Sequence, residues 1–430
     1  MLASCMVVGV TRQSLEVDVS RAIHHAALPH RLLACARLHH KGCSMHIATI
    51  LEPIPQLAQT WAAARADRQQ RTVADPADYA QLRRIGVPLL AVPVEFGGTW
   101  ESLAQSARPI CTLLRTLAQG DPSITLSSAM HHGVLGSWRI PSVPEPYNAA
   151  WQQQRQEVFQ SVLDGAWWGT IVSEPGSGGD SSKTRAQCLP ERPGSLKYRM
   201  SGPKHFGSGS GLTSFMTTRA VPEGETTPDL FFLEVRNHPW DGSTGMRLTA
   251  PWRGHGMRST NSHAFEFANF PATRVAWPGH QAEIMAAGSS LGGMSFSSVI
   301  VGVVDAAMDY TRQWLKTRRQ QGARLSAYQQ VEWTLAEQEA FLIERAWEGT
   351  LQTLEQGQLN RRTVLMTKEC IARLSESVLS HLCTLTGGTA YTWYCPLGAW
   401  LQDVQALGYL RPPWALAFDN LYTMGIQEDA

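Results

Sequence analysis

"IVSEPGSGGDSSKTRAQ", residues 171–187, sets a short apolar run against a turn that holds three glycines within four residues. Glycine lets backbone N–H groups approach a ligand closely, and clustered N–H groups make concavities for anions. The turn is not part of a strand–GxGxxG–helix unit, and the chain holds no GxxxxGK[ST], so the dinucleotide-binding and P-loop readings fail. Its meaning therefore depends on the chain to either side.

Before the turn, from about residue 50 to 165, apolar residues recur at helical spacing. Examples are "PIPQLAQTWAAARADRQQ", "ESLAQSARPICTLLRTLAQG" and "DPSITLSSAMHHGVLGSW", with Asp121 placed to cap the last. "VPVEFGG", 92–98, is expected as a turn between helices. From 166 to 280 the texture changes to short β-rich runs between turns, such as "DLFFLEV" and "HAFEFANF". That spacing suits a small antiparallel barrel or sandwich. Long amphipathic helices follow to the end. The expected fold class is α+β, in four parts: an extension over 1–44, a helical domain over 45–165, a β-barrel over 166–282 and a helical bundle over 283–430.

The totals limit what such a protein does. A net charge of +1 and a pI near 7.7 across 430 residues leave no nucleic-acid surface and no polybasic membrane surface. Eight scattered cysteines without a CxxC pair suit a reducing compartment, so a cytoplasmic location is expected. "SSLGGMSFSSVIVGVV", 289–304, is apolar but rich in Ser and Gly, and suits a helix buried in a bundle better than a membrane span. The opening "MLASCMVVGVTRQ" has no basic residues ahead of its short apolar run, unlike a signal peptide. "CARLHHKGCSMH" gathers Cys35, His39, His40, Cys43 and His46, which are zinc-ligand types at no recognised zinc spacing. No metal is expected, and residues 1–44 are expected to be dispensable.

Five segments in order carry a family likeness: "SEPGSGGD", "MSGPKHFGSGSG", "GHGMRSTNSHAFEFANFPATRVAWPG", "TRRQQGARLSAYQQVEWTLAEQ" and "TGGTAYTWYCPLGAWLQD". Together they resemble the acyl-CoA dehydrogenase superfamily across nearly all of 50–430. The resemblance implies that family's fold, with an N-terminal helical domain, a central β-barrel and a C-terminal helical bundle. It implies bound FAD, with Val172, Ser173, Gly178 and Gly179 in the loop along the flavin and Phe206 and Ser208 beside the ring. Arg318 falls where the family places an arginine on the pyrophosphate, and Gly387 and Gly388 fall in the loop that reaches a second subunit's dinucleotide. A homo-oligomer, dimer or tetramer, follows from that placement.

The likeness breaks at the catalytic base. The family carries a glutamate in a Glu-Gly-Thr segment a fixed distance after an Arg-Asp pair, here Gln402–Asp403. Counting on without a gap puts Arg411, Pro412 and Pro413 there, within "LGYLRPPW". Arginine stays protonated and cannot accept that proton. The alternative base position on the first long C-terminal helix is Gly292. The loop's usual serine is Gly179, and a phenylalanine usual near the pyrophosphate arginine is Gln321. His131 and His132 lie on the helix that lines the acyl pocket in the resemblance, and one of them, pointing inward, is a candidate acid or base. Arg411 is the candidate fixed positive charge.

Three functions fit these residues. The leading expectation is oxidation of an acyl thioester, on CoA or a carrier protein, with the base relocated. The second is a monooxygenase that uses reduced flavin and O₂, as in the superfamily's dibenzothiophene and amino-sugar oxygenase branch, which needs no carboxylate at this position. The third is a flavoprotein without catalysis.

Overall fold

The computed structural model describes residues 46–358 and 360–427, all within one compact unit; the Cys35–Cys43 cluster and the 1–44 extension lie outside the described residues. The first part is helical: α1 (Ile47–Leu51), α2 (Ile54–Ala63), α3 (Arg65–Gln70), α4 (Pro76–Ile85), α5 (Leu103–Ala118), α6 (Pro122–Leu135) and α7 (Asn148–Leu163). Asp121 caps α6 as its sequence indicates. Its carboxylate accepts the Ile124 N–H at 3.0 Å, Pro122 opens the helix, and Arg68 pairs with the same carboxylate at 2.7 Å. "VPVEFGG" forms a single 3₁₀ turn closed by Gly97.

Seven strands follow: β1 (Trp168–Thr170), β2 (Gln187–Pro190), β3 (Lys197–Gly207), β4 (Phe215–Pro222), β5 (Asp229–Glu234), β6 (Met246–Ala250) and β7 (His263–Arg274). The sheet runs β1-β4-β2-β3-β7-β5, β5 pairs back with β4, and β6 adds to β7. Closure removes edges that would otherwise be left unpaired. Alternate residues point inward, and Met200, Met216, Phe231, Leu233, Phe265, Phe267 and Phe270 fill the barrel. The β3–β7 register breaks twice, between Met200 and Gly202 and between Lys204 and Gly207. The second bulge reorients the end of β3.

The last part comprises α8 (Gln281–Gln320), α9 (Ala327–Glu355), α10 (Arg361–Thr386), α11 (Leu397–Val404), α12 (Ala406–Tyr409) and α13 (Trp414–Gln427). α8 is long and apolar enough to cross a membrane, but its apolar stretch is mostly buried among the other helices, as befits a core helix. Glycines let α8 approach its neighbours closely. A Cβ on Gly136 would lie 2.5 Å from Gly288 Cα, and one on Gly302 would lie 2.1 Å from the Arg115 carbonyl oxygen of α5. Gly133 meets Gly292 in the same seam.

Candidate active site

The loop after β1 is tied to the barrel at both ends. Ser173 bridges to β3, its carbonyl accepting the His205 N–H at 2.8 Å. Glu174 turns inward and accepts from Lys204 Nζ (2.6 Å), Arg185 N–H (2.7 Å) and Ala186 N–H (3.1 Å). Both charges of the Lys204–Glu174 pair are buried; burial lowers the lysine pKa and the carboxylate opposes that shift. The intervening chain, Gly176 to Asp180, is then free to form an open turn. Gly176, Gly178 and Gly179 all have positive φ, which other residues adopt only with strain.

Phe206 lies in the second bulge of β3, with φ of 62° and 57% of its surface exposed. A bulky residue at positive φ is a genuine outlier, and a large exposed ring beside a glycine turn is a surface on which a planar group stacks. Trp252 stands edge-on to it at 6.2 Å. Two residues on, Ser208 opens a chain of buried hydroxyls: Ser208 to Ser262 at 2.8 Å, Ser262 to Thr260 at 2.7 Å, and Thr260 to the Met257 carbonyl at 3.0 Å. Each hydroxyl has one proton, and the carbonyl can only accept. The protons therefore run Ser208 to Ser262 to Thr260 to Met257, which leaves Ser208 Oγ as an acceptor.

The C-terminal segment covers this loop. α12 ends at Tyr409, Leu410 is extended, and α13 starts at Trp414. Pro413 packs on the glycine turn, with its Cγ 2.8 Å from where a Cβ on Gly179 would lie. Lys368 of α10, buried and paired with Glu369, donates to the Pro412 carbonyl at 2.7 Å. Arg411 is half-buried, close enough to Arg219 and Lys204 to feel their charge. Burial, then Arg219, pushes its guanidinium down to about 10.

The structure thus brings Val172, Ser173, Gly178, Gly179, Phe206, Ser208 and Arg411 to one region. It does not bring the histidines there. His131 is fully buried; its Nδ1 accepts the Trp168 N–H at 3.0 Å, and its Nε2 lies 3.1 Å from the Pro88 carbonyl oxygen. Both ring nitrogens are used by backbone, and burial pushes its pKa down to about 3. His132 is equally buried, its ring nitrogens have no hydrogen-bond partner among the described residues, and burial holds it neutral. Neither imidazole is poised near neutral pH, which corrects the expectation that one serves as acid or base. Gly292, the alternative base position, is pressed against Gly133. Arg318 is exposed near the far end of α8, stacked over Trp314 at 4.8 Å, and Gly387 and Gly388 are exposed just beyond α10. Lys204, Glu174, Lys368, Ser262 and Thr260 were not singled out from the sequence. Lys204 and Glu174 lie 30 residues apart, Lys368 reaches Pro412 44 residues away and the Ser262–Ser208 contact spans 54 residues, so no local pattern marks these meetings.

Residues 289–410 match the family model described as acyl-CoA dehydrogenase, C-terminal domain. The solved structure of FMN-bound TdsC from Paenibacillus sp. A11-2 superposes with a TM-score of 0.73 at 16% identity, over 88% of this chain and 97% of that one. Over residues 289–410 the chain matches the acyl-CoA dehydrogenase C-terminal domain, and the superposition shows a shared fold. By sequence, dibenzothiophene monooxygenase of Rhodococcus erythropolis is 25% identical over 272 residues, 61% of each protein. The chain thus spans about three fifths of that relative's length. A probable FMNH2-dependent monooxygenase, SfnC of Pseudomonas putida, is 24% identical over 363 residues, 78% of this chain and 84% of that protein. The fold class is as expected, and a flavin-dependent oxidoreductase agrees with these relatives. Desaturation of an acyl thioester does not: the relatives named here are monooxygenases, and this overturns the leading expectation.

Proposed function

We propose that the protein is a flavin-dependent monooxygenase that takes reduced FMN and O₂ and places one oxygen atom on a small organic substrate. The observation that carries this reading is the composition of one site. The loop, the exposed Phe206 ring and the Ser208 hydroxyl are all present, while the position of the dehydrogenase base holds Arg411. A monooxygenase needs no carboxylate there.

The site suits a flavin on its own observations. Phe206 offers an unpartnered face at a strained position, and the turn leaves open space at Gly176 and Gly178, where side chains would intrude. Phe206, Ser208, Val172 and Ser173 would hold the ring. The FMN of the relatives favours FMN over FAD. Bound reduced flavin supplies the two electrons that divide O₂ between substrate and water. Ser208, fixed as an acceptor, suits an N–H of the reduced ring better than the bare nitrogen of the oxidised one. Leu410, Pro412 and Pro413 keep water from the substrate side.

We further propose a cytoplasmic homo-oligomer in which a second copy completes the flavin site. Tyr328, Val331, Leu335 and Leu342 form one exposed apolar stripe along α9, suited to burial against a second copy. Arg318 and Gly387–Gly388 are then free to reach the neighbour's flavin.

The test is anaerobic and direct. Purified protein loaded with FMN should not bleach on mixing with acyl-CoA thioesters. It should consume O₂ only after external reduction of the flavin, with product carrying label from ¹⁸O₂. Bleaching by a thioester, or product without the label, would overturn the reading.

A further inference from the structure

Arg411 is a half-buried cation without an anion. Among the described residues it makes no hydrogen bond and no ion pair, and the charges nearest it are also positive, Arg219 and Lys204. The acids of this region are already engaged. Glu174 holds Lys204 and two backbone N–H groups, and Asp180 holds Ser182 and faces Lys183 at 3.7 Å. Arg219 itself donates to Ser181 Oγ at 2.7 Å. Asp419, on α13, forms no ion pair with Arg411.

The cation is also held in place. Lys368 fixes the carbonyl of the next residue, Pro413 sits against Gly179, and the Ala417 N–H bonds the Pro413 carbonyl to start α13. Two prolines remove the backbone freedom that would let Arg411 swing out to water. A desolvated guanidinium that is unpaired and fixed is costly unless something anionic joins it, and its planar fork fits an oxyanion with two bonds.

We propose that Arg411 is the receptor for an oxyanion on the substrate, so that the protein acts on carboxylates, sulfonates or sulfinates in preference to neutral compounds. This rests on the monooxygenase reading of the same site. The FMN phosphate is the other oxyanion available, but the segment lies over the glycine turn on the face closed by Pro413, and the substrate's group is the one assigned.

The experiment uses FMN-loaded protein and pairs of probes that differ in charge: benzoate against benzamide, and methanesulfonate against dimethyl sulfone. Binding is read from perturbation of the FMN absorbance. The parent should bind each anion at least about tenfold more tightly than its neutral partner. Arg411→Gln should lose that preference, and Arg411→Lys should keep part of it. FMN and riboflavin affinities are measured alongside. If Arg411→Gln weakens FMN but not riboflavin, Arg411 holds the cofactor phosphate and the proposal is wrong. If the parent shows no charge preference, or Arg411→Gln keeps it, the proposal is equally wrong. Should Arg411→Gln fail to fold, Arg411→Lys and salt competition against benzoate decide the matter, since a fixed cation gives salt-sensitive binding. Protein that takes up no flavin at all would instead defeat the function proposed above.

Discussion

His131 and His132 are neighbours on α6 with opposite effects on stability. His131 gives the Trp168 N–H its acceptor, so His131→Leu should cost about 1–3 kcal/mol at pH 8 by leaving that donor unpaired. His132 has no such partner, so His132→Leu should be within about 0.5 kcal/mol of the parent there. Acid separates them further. Both folded-state pKa values lie below the ordinary 6.5, so the unfolded chain takes up protons first as pH falls below 6.5. For His131, stability is lost from there down to about pH 3, at about 1.4 kcal/mol per pH unit. Asp403 works the other way: burial raises its carboxyl to about 7, so its contribution is present at low pH and is lost as pH rises toward 7. At pH 5, His132→Leu should therefore be more stable than the parent. Urea unfolding at pH 8 and pH 5 measures all of this, and a His132→Leu loss equal to that of His131→Leu at pH 8 would show a buried partner for His132. Another residue, Thr260, anchors the hydroxyl chain. Thr260→Val frees Ser262 to donate toward Ser208, which turns Ser208 into a donor. The preference for reduced over oxidised FMN should fall about tenfold, moving the bound midpoint potential down by about 30 mV. A potential that does not move would mean Ser208 does not face the flavin.

At the scale of elements, the seam between α5, α6 and α8 exists because glycine removes side chains where backbones meet. Gly302→Ala drives a Cβ into the Arg115 carbonyl oxygen, with no flexible side chain to yield, and should cost about 3 kcal/mol or more. Gly349 on α9 has open space around it, so Gly349→Ala should stabilise by about 0.5–1 kcal/mol through helix propensity alone. Thermal unfolding of the two variants should move in opposite directions, and a neutral Gly302→Ala would show that the seam is loose. The same elements show what a single sequence can reveal. Asp121 marks the start of α6 because capping is a local interaction, and alternation marks "DLFFLEV" and "HAFEFANF" because the pleat has a period of two. The glycines of "HHGVLGSW" and "SSLGGMS" carry no such mark. Each looks like a helix weakener until the other helix is beside it. For that reason the sequence places His131 on a pocket-lining helix, whereas the fold turns it onto backbone. Phe206 was found through its register beside the glycine loop, but its positive φ comes from a bulge set by β7, 60 residues away. The hydroxyl chain behind Ser208 was hidden for the same reason.

At the scale of the whole molecule, the residues assigned to the flavin fall into two sets that one chain does not bring together. Phe206, Ser208 and the glycine turn form one set, while Arg318 and Gly387–Gly388 stand exposed elsewhere on the surface. If a second copy supplies the second set, each flavin needs two chains, and two damaged chains can repair one another. Phe206→Ala and Arg318→Ala should each lose most FMN binding when expressed alone. In a hybrid pair, one site carries both substitutions and the other carries neither. Random assortment into dimers would then restore about a quarter of the sites, because half of the pairs are hybrids and half of their sites are intact. Flavin content of the unselected co-expressed mixture measures the fraction, and sedimentation gives the assembly size. Leu342→Arg, placed on the exposed stripe of α9, should lower both together while leaving the monomer folded, since half of that side chain's surface is exposed. A monomer that binds FMN one to one, or a mixture with no more flavin than its parents, would place the whole site within one chain and leave Arg318 a surface residue stacked on Trp314.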